Sequence, residues 1–124
     1  PNIEWIDEGT SNSDRVDYPD FANRVAKKVA NHECDLGVLT CGSGIGMAIT
    51  ANKTPGIRAA SVESKQSATL SRAHNDTNIL CLGARLLKLE LAKDILVAWL
   101  STEFEGGRHN ERIKKITKIE NGGQ

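Results

Sequence analysis

Thr40-Cys41-Gly42-Ser43-Gly44-Ile45-Gly46 is the stretch on which the fold of this chain turns. A short apolar run, Asp35 to Cys41, leads into it, and Ile45 to Lys53 follows with helical period. A strand that passes through a glycine turn into a helix is the elementary βα unit. The pattern recurs along the chain. Ile3 to Asp7, Ile57 to Val62 and Asn78 to Leu82 are further strand candidates, all short, as parallel strands usually are. Phe21, Val25 and Val29 recur every fourth residue, with Pro19 suited to a first helical position. Ser64 to His74 and Leu89 to Phe104 predict two more helices, the longer with Leu89, Ala92, Leu96 and Leu100 as its apolar stripe. After Gly106-Gly107, a basic amphipathic segment from Arg108 to Ile119 places Ile113, Ile116 and Ile119 inward. The fold class is α/β, in one domain without internal repeat or dividing linker.

Composition narrows the function. At 124 residues there is room for one core and not for a separate substrate domain, so an elaborate site has to borrow from a second subunit. Sixteen basic and sixteen acidic side chains cancel, which speaks against nucleic acid or a membrane surface as partner and for a small ligand. Cys34, Cys41 and Cys81 are odd in number and form no C-x-x-C pair. That argues against a disulfide framework and a zinc site, and for a reducing cytoplasm. No apolar run approaches the roughly eighteen residues of a membrane span.

Three stretches carry candidate chemistry. Ligands of open α/β sheets bind where strands end and helices begin, which is where Cys41 and Gly42 to Gly46 stand. Glycines let a backbone approach a ligand, the first helical turn offers N–H groups to an anion, and the same field favours a thiolate at Cys41. The alternative is a buried strand-end cysteine and an ordinary turn. A dinucleotide fingerprint is opposed by Met47, which stands where the third glycine belongs. In Arg72-Ala73-His74-Asn75-Asp76-Thr77-Asn78, His74 is suited to titrate near neutral pH, although Asn75 and Asp76 are common turn formers. His32, in a polar turn, has no comparable company. Arg108 and Arg112, four apart, share one helical face and are able to clamp a phosphate, or else belong to a solvated basic helix with Lys114, Lys115 and Lys118.

Together, D-Y-P at Asp17 to Pro19, C-G-S-G-I-G at Cys41 to Gly46, H-N-D-T-N at His74 to Asn78 and G-G-R-H at Gly106 to His109 resemble the ribose-5-phosphate isomerase B family in order and spacing. That family shares its pattern with galactose-6-phosphate isomerases. The resemblance implies a flavodoxin-like (Rossmann-like) three-layer sandwich with a five-stranded parallel sheet in the order 2-1-3-4-5. Residues 1–124 would form a single sugar-phosphate isomerase domain. Family members begin with a strand ending in an Asp-His pair and a first helix, and no such segment stands ahead of Pro1; the absent strand would lie between Ile3–Asp7 and Asp35–Cys41.

The resemblance further implies an aldose-ketose isomerase that interconverts ribose 5-phosphate and ribulose 5-phosphate through an enediolate. Hexose 6-phosphates such as those of allose or galactose, or a non-catalytic phosphosugar- or nucleotide-binding role, are the alternatives. Cys41 is then the base and His74 the ring-opening acid. Gly42, Ser43, Gly44, Ile45 and Gly46 supply the anion hole and a hydroxyl, and Asn75, Arg85, Arg108 and Arg112 contact substrate and phosphate. Neither metal nor organic cofactor is implied. The expected assembly is a homodimer, or a tetramer, with the active site shared between subunits.

Overall fold

The computed structural model describes residues 3–10 and 16–123. Helix α1, Tyr18–Ala30, begins where Pro19 allows it, with Asp20 in its first turn and Lys27 and Lys28 in its last, complementing the helix dipole. Ala22, Ala26 and Val29 are its buried residues, while Phe21 and Val25 pack at the margin of the same core. Strand β1, Gly37–Cys41, passes through the glycine turn into α2, Ile45–Ala51. Strand β2, Ala59–Ser61, is shorter than expected. At its start the Asn52 side chain takes the place of a neighbouring strand, accepting from the Ala59 N–H at 2.8 Å and donating to the Ala59 carbonyl at 2.9 Å. Ser64 caps α3, Lys65–Asn75, by accepting the Ser67 N–H. Strand β3, Ile79–Gly83, then leads to α4, Leu89–Leu100, and α5, His109–Glu120.

All strand pairs are parallel, but the order is β1-β3-β2, which corrects the sequential order expected of a flavodoxin-like sheet. The cause lies in β3, where all five residues are buried. Ile79 and Cys81 face α1 and α2 with Leu39, Met47 and Ala51, while Leu80 and Leu82 face α3 and α4 with Val62, Ile95 and Trp99. A strand apolar on both faces belongs between two others. The two clusters lie on opposite faces of the sheet, so the layers are helix, sheet, helix. Three strands are present among the described residues.

Ile3–Asp7 is not a strand. Its residues have no ladder partner among the described residues, and Trp5 is 62% exposed. The stretch that follows is tied to α1 by the Glu8–Lys28 ion pair and by Arg24 donating to the Glu8 carbonyl. Helix α4 stops four residues early because Ser101 and Thr102 turn their hydroxyls back onto the Val97 and Ala98 carbonyls. The chain then runs without regular secondary structure, and the Glu105 N–H bonds to the Ala73 carbonyl at 3.0 Å. Its apolar stripe is also rotated: Ile95 and Trp99 are buried with Ala92, Leu96 and Leu100 alongside, and Leu89 is exposed.

Helix α5 corrects another expectation. None of its residues is buried, and Ile116 and Ile119 are exposed. It leaves the body through Gly106 and Gly107, whose φ of 68° and 55° suit glycine. It returns only where Glu120 accepts the Gly56 N–H at 3.0 Å. Between these ends it spans a cavity of about 650 Å³ lined by Ile57, Arg58, Ser71 and Asn75 below and by Ile116 and Ile119 above.

Candidate active site

Cys41 closes β1 at the carboxyl end of the sheet, and its Sγ accepts the Gly44 N–H at 3.1 Å. Gly44 needs its φ of 79°, and its carbonyl starts α2 by accepting from Ala48. Ser43 Oγ accepts the Ile45 N–H at 3.2 Å. Two of the amides expected to face an anion, those of Gly44 and Ile45, are therefore engaged inside the loop, and Ser43 braces the turn. The loop is held from beneath by the segment after β3. Ala84 and Arg85 donate to the Cys41 and Gly42 carbonyls at 2.8 and 3.0 Å, and a Cβ on Gly83 would stand 2.6 Å from the Ser43 carbonyl oxygen. This docking carries Arg85 to the loop, where its guanidinium stem lies 3.2 Å from where a Gly42 side chain would begin. Tyr18 crosses Gly46 so closely that a Cβ there would sit 2.5 Å from the ring. Sequence reasoning assigned Tyr18 no role, although the D-Y-P motif marks it.

Below Cys41, on the same face of the sheet, Cys81 is fully buried; removal from water pushes its thiol up to about 12, with Cys41 adding to the effect.

His74 and Asn75 form the last turn of α3, which the left-handed Asp76 caps. The rest of that motif is structural. Asp76 takes Arg58 and Arg72, each at 3.2 Å; Thr77, buried, accepts from Trp99 Nε1 at 3.0 Å; and the Asn78 side chain accepts from Arg58 N at 2.8 Å. Arg72 also donates to the Thr77 and Thr102 carbonyls. This network fixes the end of α3, and of the motif His74 and Asn75 line a cavity of about 330 Å³ with Arg108, His109 and Arg112. His109 stacks on His74 with ring centroids 4.2 Å apart and 17° between planes. Desolvation holds the His109 imidazole below its ordinary pKa, His74 and Arg108 acting in the same direction and Glu105 opposing them. Both imidazoles approach one carboxylate oxygen, Glu105 Oε1, at 3.9 and 3.6 Å. Glu105 and His109 went unassigned in the sequence; Gly106-Gly107 between them was the signal that two elements meet there.

The expected site residues thus fall into two groups. Cys41, Gly42 to Gly46 and Arg85 lie at the carboxyl end of β1 and β3. Helix α3 runs back against the strands, so His74 and Asn75 lie at the amino end, near Gly37 and Ile79, with Arg108 and Arg112 beside them. Four residue steps, from Gly37 to Cys41, separate the two ends, about 13 Å at 3.3 Å per residue. The fold does not bring Cys41 and His74 together within one chain.

Comparison with known proteins places this arrangement in context. A family described as Ribose/Galactose Isomerase matches residues 1–116. Ribose-5-phosphate isomerase B of Escherichia coli is 53% identical over 118 residues, 95% of this chain and 79% of that protein. The structure of ribose-5-phosphate isomerase B from Clostridium thermocellum superposes with a TM-score of 0.93 at 52% identity, covering 94% of this chain and 79% of the other. The Mycoplasma genitalium enzyme with bound ribulose-5-phosphate does so with a TM-score of 0.90 at 43% identity, covering 94% and 78%.

Proposed function

The chain belongs to the ribose/galactose isomerase family and is an isomerase, and on that premise we propose that it interconverts ribose 5-phosphate and ribulose 5-phosphate as a homodimer. The observation that carries this reading is the placement of Cys41, with its sulfur on an N–H of the glycine turn, at the opposite end of the sheet from the cavity of His74, Arg108 and Arg112. In a two-fold pair the same two surfaces meet twice, so the Cys41 end of one subunit faces the Arg108 end of its partner and two complete sites result. Exposed apolar side chains lie at both ends: Ile45, Ile49 and Leu86 around the cysteine turn, Ile116 and Ile119 on α5. Their burial is the favourable term for such a pair.

The chemistry then follows from the groups present. Arg108 and Arg112 hold the phosphate, bidentate contact being what a guanidinium pair does best. His74 gives a proton to the ring oxygen as the bond from C1 to that oxygen breaks, while the C1 hydroxyl passes its proton to solvent water, leaving the open aldehyde. Cys41 removes the proton from C2. The electron pair moves onto the carbonyl oxygen, and N–H groups of the turn other than those of Gly44 and Ile45, together with Arg85, stabilise the enediolate, each well-placed donor by about 3 to 4 kcal/mol. Cys41 returns its proton to C1 while the proton of the C2 hydroxyl passes to the C1 oxygen, leaving a carbonyl at C2 and a hydroxyl at C1, the ketose. Three free thiols, Cys34, Cys41 and Cys81, fit a reducing cytoplasm. No helix among the described residues is long and apolar enough to cross a membrane.

The test is turnover on ribose 5-phosphate beside allose 6-phosphate and galactose 6-phosphate. The highest kcat/KM is expected on the pentose. A higher value on a hexose moves the substrate within the same family, and binding without interconversion of any of the three removes the isomerase reading for this chain.

A further inference from the structure

Beyond that reaction, we propose that His74, Glu105 and His109 form a binding site for one borderline divalent transition-metal ion, Zn²⁺ above all. The three side chains come from three places in the chain, the end of α3, the irregular segment after α4 and the first residue of α5. Their donor atoms lie within 4.8 Å of one another. Zinc binds imidazole nitrogen and carboxylate oxygen at about 2.0 to 2.2 Å in a tetrahedron, so its donors stand roughly 3.3 Å apart. The Glu105 oxygen is already 3.6 Å from one imidazole nitrogen and 3.9 Å from the other. The two rings are stacked, only 17° from parallel, so convergence of both nitrogens on one ion requires one ring to turn. His74 and Glu105, 36% and 60% exposed, are free to make that adjustment against His109, only 12% exposed. The backbone beneath is firm, because the Glu105 N–H is bonded to the Ala73 carbonyl.

Two nitrogens and one oxygen select zinc, nickel or cobalt over magnesium or calcium, which prefer all-oxygen shells. Three protein ligands leave one position open. Arg108 and Arg112 repel a dication, which keeps this site weaker than a closed four-ligand one. The functional consequence rests on the isomerase reading: an ion on His74 Nε2 removes the ring-opening acid, so zinc inhibits reversibly.

Calorimetric titration of Zn²⁺ into the purified protein tests the site without reference to activity. One ion per chain is expected, with affinity at least tenfold weaker in Glu105→Gln and in His109→Gln and unchanged in Cys41→Ser, circular dichroism confirming that each variant is folded. Because Glu105 is largely exposed, its variant keeps the fold under test. In wild type, turnover should fall on adding zinc and return with a chelator. Affinity unaltered in both the Glu105 and His109 variants, or lost only with Cys41→Ser, overturns the proposal. Zinc binding intact in a protein that turns over no sugar phosphate leaves the metal site standing and removes the isomerase reading instead.

Discussion

The two ends of the sheet hold their functional side chains by different means. At the carboxyl end the backbone does the positioning. Cys41 is pinned between its own glycine turn and the segment after β3, and at Gly83 and Gly46 an added Cβ would lie 2.5 to 2.6 Å from a neighbour. At the amino end, side chains do it. His74 rides on a helix terminus braced by Arg58, Arg72, Asp76 and Thr77, and Arg108 and Arg112 stand at the start of α5, a helix that buries none of its residues. A proton-abstracting atom has to be held within fractions of an ångström of carbon, whereas phosphate and hydroxyl contacts tolerate adjustment. On the proposed mechanism the close-packed end suits the base, and the open end suits groups that would meet the substrate from a second subunit.

The largest test of this contrast is Cys41→Ala. Acid–base catalysis contributes on the order of 10² to 10⁴ in rate, so kcat should fall at least 10²-fold while KM changes little. Unchanged kcat in steady-state assays would remove Cys41 from the mechanism and leave the close packing of that end without a catalytic purpose.

Mixing sharpens the comparison. If each site takes its cysteine from one subunit and its histidine from the other, inactive Cys41→Ala and His74→Gln dimers that exchange subunits give heterodimers with one intact and one doubly altered site. Half of a random mixture is heterodimer, so activity should recover to about one quarter of wild type. A mixture that stays inactive, with heterodimer shown by native mass spectrometry, means that base and acid act within one chain, against the 13 Å implied by the strand spacing.

The smallest expected effect is chemical. Cys81 lies wholly buried with its thiol raised to about 12, so near pH 8 almost none of it is thiolate, whereas Cys34 and Cys41 are partly exposed. Iodoacetamide followed by peptide mapping should modify Cys34 and Cys41 in the native protein and Cys81 only after denaturation. Native labelling of Cys81 would show that the carboxyl end opens far more readily than its packing implies.

Much of this was written locally. The α/β class, the start of α1 at Tyr18-Pro19, a helix beginning at about Ser64 and the glycine turn after Cys41 follow from period and turn chemistry, properties of neighbouring residues. The four motifs placed the chain in its family for the same reason, since each is a short run with a set spacing. What the tertiary structure decided depends on partners distant in sequence. The order β1-β3-β2 follows from which strand is apolar on both faces. Ile3–Asp7 has strand composition but no ladder partner among the described residues, and composition alone makes no hydrogen bonds. Helix α5 carries an apolar stripe that the fold leaves uncovered within one chain. The meeting of His74, Glu105 and His109 and the parting of Cys41 from His74 both follow from α3 running back along the sheet, a direction that no window of sequence contains.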